Sequence, residues 1–154
     1  MFRGFEIWIL IIPVVIVATA AYFYSYALRD VGLGKIAIGD YEFDVDIADT
    51  IVTRQQGLSG RHELGDKEGM LFIFERAALR RFWMKDMLIP IDIIWINDGE
   101  VVGFEENVEP EPGVPLQGLV IYKSPIPVSL VLEVEAGTVN RTGIKSGDPV
   151  SIRL

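Results

Sequence analysis

The chain has no cysteine and a single histidine, His62, among its 154 residues. The first absence excludes disulfides, thiolate nucleophiles and thiolate metal sites. The second leaves His62 beside Glu63 without the second histidine of a recognised zinc motif. A Ser-His-Asp triad would have to use that one histidine, and no Gly-x-Ser-x-Gly elbow is present. No glycine-rich loop leads from a strand into a helix, so a phosphate cradle is unsupported. The sequence therefore offers no complete catalytic set, no metal set and no cofactor motif. Positive charge is scarce as well. Residues 30–154 hold 12 Lys and Arg against 21 Asp and Glu, a net of about −9. An acidic domain of this kind repels phosphate backbones, which argues against nucleic acid as a partner.

Charge of either sign is missing altogether from Ile7 to Ala27, a run of 21 residues. At about 1.5 Å per residue it is long enough, as a helix, to cross a bilayer. Trp8 lies near one end and Tyr22, Tyr24 and Tyr26 near the other, where amphipathic rings meet the headgroups. A cleaved signal peptide is the rival reading, with Ala18-Thr19-Ala20 as its site, but the apolar run continues past that point. Residues 1–29 are expected to be an N-terminal transmembrane anchor (or signal sequence) and 30–35 a linker. A single globular, sheet-rich domain is expected over residues 36–154. Flanking positive charge barely favours either orientation; the very short N-terminal tail favours a domain on the extracytoplasmic side of the cell membrane.

Beyond the linker, Gly39-Asp40 reads as a two-residue turn between two strands. In the second arm Tyr41, Phe43, Val45 and Ile47 alternate with Glu42, Asp44 and Asp46, the period of a half-buried strand. Thr53-Arg54-Gln55-Gln56 matches a capping box and predicts a helix of about two turns ending between Gly57 and Gly60. Short β-prone runs follow at Met70–Phe74, Ile89–Ile96, Val101–Phe104, Leu119–Tyr122, Val128–Glu135 and the C-terminus. Asn97-Asp98-Gly99-Glu100 is a hairpin signal, and Glu109–Pro115 is a surface loop. The expected class is mainly β (α+β): a small antiparallel, barrel-like sheet with one or two short helices, preceded by a single transmembrane helix.

The strings GLSGR (Gly57–Arg61), GMLFIF (Gly69–Phe74), FWMKDMLIPIDIIWI (Phe82–Ile96), LVLEVEAG (Leu130–Gly137) and GIKSGD (Gly143–Asp148) resemble an uncharacterised bacterial and archaeal family. That family is domain of unknown function 192, and the resemblance covers about residues 36–154. It implies a small sheet-rich domain, often with a signal sequence or anchor, and no established activity. Two positions depart from the family pattern. Its usual Asn after Met-Lys is Asp86 here, and the Thr that commonly follows is Met87. If that Asn-Thr pair binds a neutral group, this chain binds something different or more basic.

The stretch Arg80–Asp98 concentrates the candidate site. Asp92 stands in a strand that is apolar on both faces, so it is expected to be buried, hydrogen-bonded and partnered by Arg54, Arg61 or Lys85. Its role is either structural, as an ion pair or a turn-capping carboxylate, or part of a ligand site. Phe82-Trp83-Met84 supplies core through alternate residues or an aromatic platform for a sugar or an extended peptide. Lys85 and Asp86 would orient a ligand at its edge. The candidate ligand-binding residues are therefore Arg61, Trp83, Lys85, Asp86 and Asp92. Three functions remain open at this point. One is a non-catalytic, membrane-anchored binding module for a sugar or peptide of the envelope. The others are an assembly module that docks an envelope protein, and a hydrolase or isomerase using Asp86 and Asp92 as an acid/base pair.

Overall fold

The structure, a computed structural model, describes residues 32–154. The apolar stretch Ile7–Ala27 lies outside the described residues. Among those described, no helix is long and apolar enough to cross a membrane.

Among the described residues, nine strands, two short α-helices and one 3-10 turn (Leu116–Gly118) account for the regular structure. The strands β1 (Gly32–Ile38) and β2 (Tyr41–Ala48) form a hairpin that closes with Ile38 opposite Tyr41. The two-residue turn between them is the one expected, with Gly39 at φ +56° where a side chain would be strained. β1 begins at Gly32, inside the stretch read as linker. Helix α1 (Ile51–Gln56) starts three residues earlier than the sequence pattern predicts. Thr50, not Thr53, is its N-cap: the Thr50 hydroxyl accepts from the Thr53 N–H, and the Thr53 hydroxyl accepts from the Thr50 N–H. The box motif was displaced because Thr53 fills its third position, where Glu or Gln is more usual.

Strand β3 (Glu68–Ala78) follows, then the short β4 (Arg81–Phe82), then the hairpin β5 (Ile91–Asn97) and β6 (Glu100–Val108). The β5–β6 turn is the expected one. Asp98 and Gly99 both take positive φ, 51° and 78°, the geometry that matches the strand twist. Strand β7 (Tyr122–Lys123) pairs only with β4, so most of the β-prone run Leu119–Tyr122 is not strand. Strand β8 (Val128–Glu135), helix α2 (Thr138–Thr142) and strand β9 (Val150–Arg153) complete the chain.

Seven strands make one curled sheet in the order β6-β5-β8-β3-β2-β1-β9, a half-barrel. The expectation of an antiparallel sheet is corrected at one pairing. β2 and β3 are parallel, because α1 and the loop after it carry the chain back before β3 begins. The segment before β9 laces the far ends together: the Val101 N–H donates to the Asp148 carbonyl and the Gly147 N–H to the Val101 carbonyl. Inside the curl lies one core, built on Ile36, Phe43, Val45, Leu71, Ile94, Leu132 and Val134. The outer face of β3, β5 and β8 carries a second core, with Phe72, Ile93, Trp95 and Val131 under Leu58, Met84 and Met87 from the loops. Two cores explain why Ile91–Ile96 is buried on both faces, as its apolar composition, broken only by Asp92, predicts.

Candidate functional site

The outer core is not sealed. A cleft of about 250 Å³ opens between α1 with the loop after it, the end of β3 and the segment Arg81–Met87. Phe72, Phe74, Phe82, Trp83, Leu58 and Met87 supply its apolar wall. Phe82 stands between Phe72 and Trp95 in two edge-to-face contacts, at centroid separations of 4.9 and 5.5 Å. Such contacts favour one ring orientation and make the wall preformed. Ile51 and Trp83 line the cleft while remaining 70% and 46% exposed, so apolar surface continues out to the mouth.

The floor carries Glu133. Its place in β8 sets it on the outer face, opposite Met70 of β3 and Ile93 of β5. The residue is 6% exposed, and its Oε2 is buried without a hydrogen-bond partner. Burial pushes its carboxyl up to about 8, and the nearby positive charge of Arg61 offsets only part of that rise. Glu133 is therefore largely neutral at pH 7, able both to donate and to accept a hydrogen bond. The mouth is basic, with Arg54, Arg81 and Lys85. Arg54 is held by donating from Nη1 to the Ile73 carbonyl at 2.8 Å, and its guanidinium stands 5.1 Å from the Phe74 ring centre.

Of the five residues expected to bind a ligand, Trp83 and Lys85 line this cleft. The other three do not. Arg61 pairs with Asp46 and borders a separate groove with Asp44 and Glu68. Asp86 is exposed, pairs with Lys85 and takes φ +57° in the turn closed by the Met87 N–H on the Met84 carbonyl. Met87, at the family's Thr position, is buried in the outer core.

Asp92 is buried, as expected, at 0% exposure, but its partner is not a cation. Its Oδ1 accepts from the N–H groups of Asn107 (2.8 Å) and Gly137 (3.1 Å), and its Oδ2 from the Val139 N–H (2.8 Å). Asn107 lies where β6 bulges against β5, a place where the ladder leaves an N–H unmatched. Gly137 and Val139 belong to the start of α2, whose N-cap glycine has no side chain to cap it. One carboxylate thus serves the bulge and the helix start together, and Arg54, Arg61 and Lys85 are not needed. Asp86 bonds to Lys85 in an exposed turn, whereas Asp92 is buried on backbone N–H groups of the bulge and the helix start.

Sequence reasoning missed Glu133 and Arg81, and weighed Arg54 only as a partner for Asp92. A signal for Glu133 was present. It interrupts an apolar run, Leu130–Val134, just as Asp92 interrupts Ile89–Ile96.

A curled β half-barrel with an aromatic cleft, basic at the mouth and floored by an unpaired carboxyl, defines a small domain of a recognisable class. The chain belongs to the family DUF192, Uncharacterized ACR, whose model matches residues 34–152. A crystal structure from Sinorhizobium meliloti, described as a candidate transcription regulator, is similar at 30% identity and TM-score 0.72, covering 79% of this chain and 94% of that one. A protein of unknown function from Novosphingobium aromaticivorans is similar at 31% identity and TM-score 0.70, covering 77% of this chain and 84% of that one. No curated protein matches.

Proposed function

We propose that the protein is a non-catalytic binding module, anchored to the membrane by its N-terminal apolar stretch, whose outward-facing domain takes a small sugar or peptide of the envelope into the cleft. The observation that carries this reading is Glu133. A buried carboxyl without a partner is costly, and native folds keep few such groups. Set in the floor of an aromatic cleft, it is placed to be satisfied by a ligand hydroxyl or amide, while the rings supply contact area. The apolar stretch Ile7–Ala27 supports the anchor. No cofactor is called for by this reading. The description of the Sinorhizobium relative suggests a second one, in which the domain reads nucleic acid. The acid surplus of residues 30–154 opposes it.

The test is binding of envelope saccharides and short peptides to the full-length chain in detergent, measured by calorimetry. Trp83→Ala is expected to weaken binding about tenfold, the scale of one lost aromatic contact of about 1–1.5 kcal/mol. Its exposed ring makes the same change nearly neutral for stability. Glu133→Leu should abolish binding outright. Full affinity in both variants would place the site elsewhere.

A further inference from the structure

The domain is rich in acid, yet most of the cations around the cleft are left without it. Lys35, Arg61, Lys85, Arg141 and Arg153 each form an ion pair. Among the described residues no carboxylate pairs with Arg54, Arg80, Arg81 or Lys123. They fall into two like-charged pairs instead. Arg54 and Arg80 both stand on the ring of Phe74, at 5.1 and 3.7 Å from its centre. Burial, and then the charge of Arg54, lowers the pKa of Arg80. Arg81 lies directly opposite Lys123 in the β4–β7 ladder, a pairing in which like charges destabilise. Repulsion held in place at the mouth of a cleft is relieved by an anion.

Resting on the binding reading above, the geometry points to a ligand that carries a carboxylate, held at the mouth by Arg54 and Arg81 while its uncharged body lies on the aromatic wall and reaches Glu133. Arg54 and Arg81 line the cleft itself, whereas Arg80 and Lys123 neighbour them outside its lining and add to the positive potential. A guanidinium suits a carboxylate because its planar fork can donate two parallel hydrogen bonds. Lys85, also at the mouth, is already neutralised by Asp86 and adds less. A monoanion fits better than a phosphate. The acidic remainder of the domain opposes a doubly charged group more strongly. The carboxylate could belong to an acidic sugar or to a peptide C-terminus, two sources of one chemistry.

Matched pairs of probes separate the charge from the body that bears it. Glucuronate and glucose differ in the carboxylate, as do acetyl-Ala-Ala and its C-terminal amide. Each is titrated into the full-length chain by calorimetry at low and high salt. The anionic member of one pair is expected to bind at least tenfold more tightly than its neutral partner, with the advantage shrinking as salt rises. The pair that shows it names the source. Inorganic phosphate, run alongside, is expected to compete weakly. Lys123→Glu then gives Arg81 a cross-strand partner. It should leave the fold as stable or slightly more so while cutting the anion's affinity about tenfold, a divergence that a purely structural role would not produce. Equal affinity within each pair, or phosphate binding tighter than either carboxylate, overturns the carboxylate while leaving the cleft as a binding site. Binding of no probe overturns both readings.

Discussion

Two buried carboxylates sit side by side in this sheet and are treated in opposite ways. Asp92 of β5 pairs in register with Val134, and Glu133 of β8 with Ile93, so the two acids occupy adjacent rungs on opposite faces. Asp92 faces the inner core and accepts three backbone N–H bonds. Glu133 faces the outer core and has an oxygen with none. Both are cut off from water. What differs is satisfaction, and it separates a group that holds the fold from one whose carboxyl the fold leaves unsatisfied. Burial alone, which both share, says nothing about function.

The comparison breaks most visibly under truncation. Asp92→Ala strands three N–H donors at the β6 bulge and the start of α2, at about 1–3 kcal/mol for each donor that water cannot reach. A loss of about 3–5 kcal/mol is expected in urea unfolding. Glu133→Gln, by contrast, removes an ionisable group that had no hydrogen-bond partner to lose, and should raise stability at pH 7 rather than lower it. If Asp92→Ala cost less than about 1 kcal/mol, the contrast between the two carboxylates would collapse.

A pH series sharpens the same contrast. Glu133 titrates near 8 in the folded chain against an ordinary value of 4.5. Between those values the unfolded chain has released the proton that the folded chain still holds. Stability therefore falls as pH rises through this window, by at most about 1.4 kcal/mol per pH unit, and levels off above pH 8. Below pH 4.5 the penalty is absent. Subtracting the Glu133→Gln stability curve from that of the wild type isolates the effect. The variant is expected to match the wild type at pH 4 and to exceed it by a few kcal/mol at pH 8. A flat difference across that range would mean that Glu133 is solvated, and the case for its role as the cleft floor would go with it.

Much of the sheet was legible because alternation and turn chemistry are local. The hairpins at Gly39-Asp40 and Asp98-Gly99, the strand Val128–Glu135 and the double-sided burial of β5 all follow from residues within one element. The parallel β2–β3 pairing depends on the path of an intervening loop and left no such trace. The site divided along the same line. Trp83 and Lys85 could be placed because an aromatic cluster with a charge at its edge is a local pattern. Asp92 was recognised as buried from its neighbours, but its partners lie 15, 45 and 47 residues away and are backbone groups, which carry no side-chain signature. Glu133 and Arg81 join the cleft only through sheet curl and the β4–β7 ladder.

Asp86 supplies a third carboxylate and the smallest expected effect. It is neither buried nor aimed into the cleft, yet it is placed in a turn at φ +57°, a conformation that Asn and Gly tolerate better than other residues. The backbone here therefore favours Asn or Gly whatever the ligand. Asp86→Asn should change stability by no more than about 0.5 kcal/mol, whereas Asp86→Ala should cost about 1 kcal/mol through the strained φ. Asp86→Asn also releases Lys85, which lines the cleft and is otherwise paired with Asp86. An exposed pair of this kind is worth at most about 1 kcal/mol. The freed ammonium should therefore tighten binding of a carboxylate probe two- to threefold and leave its neutral partner unchanged, which paired titrations at low salt would resolve. Equal tightening of both probes would show that Asp86 acts on the shape of the cleft, and that the charge at its mouth is not what selects the ligand.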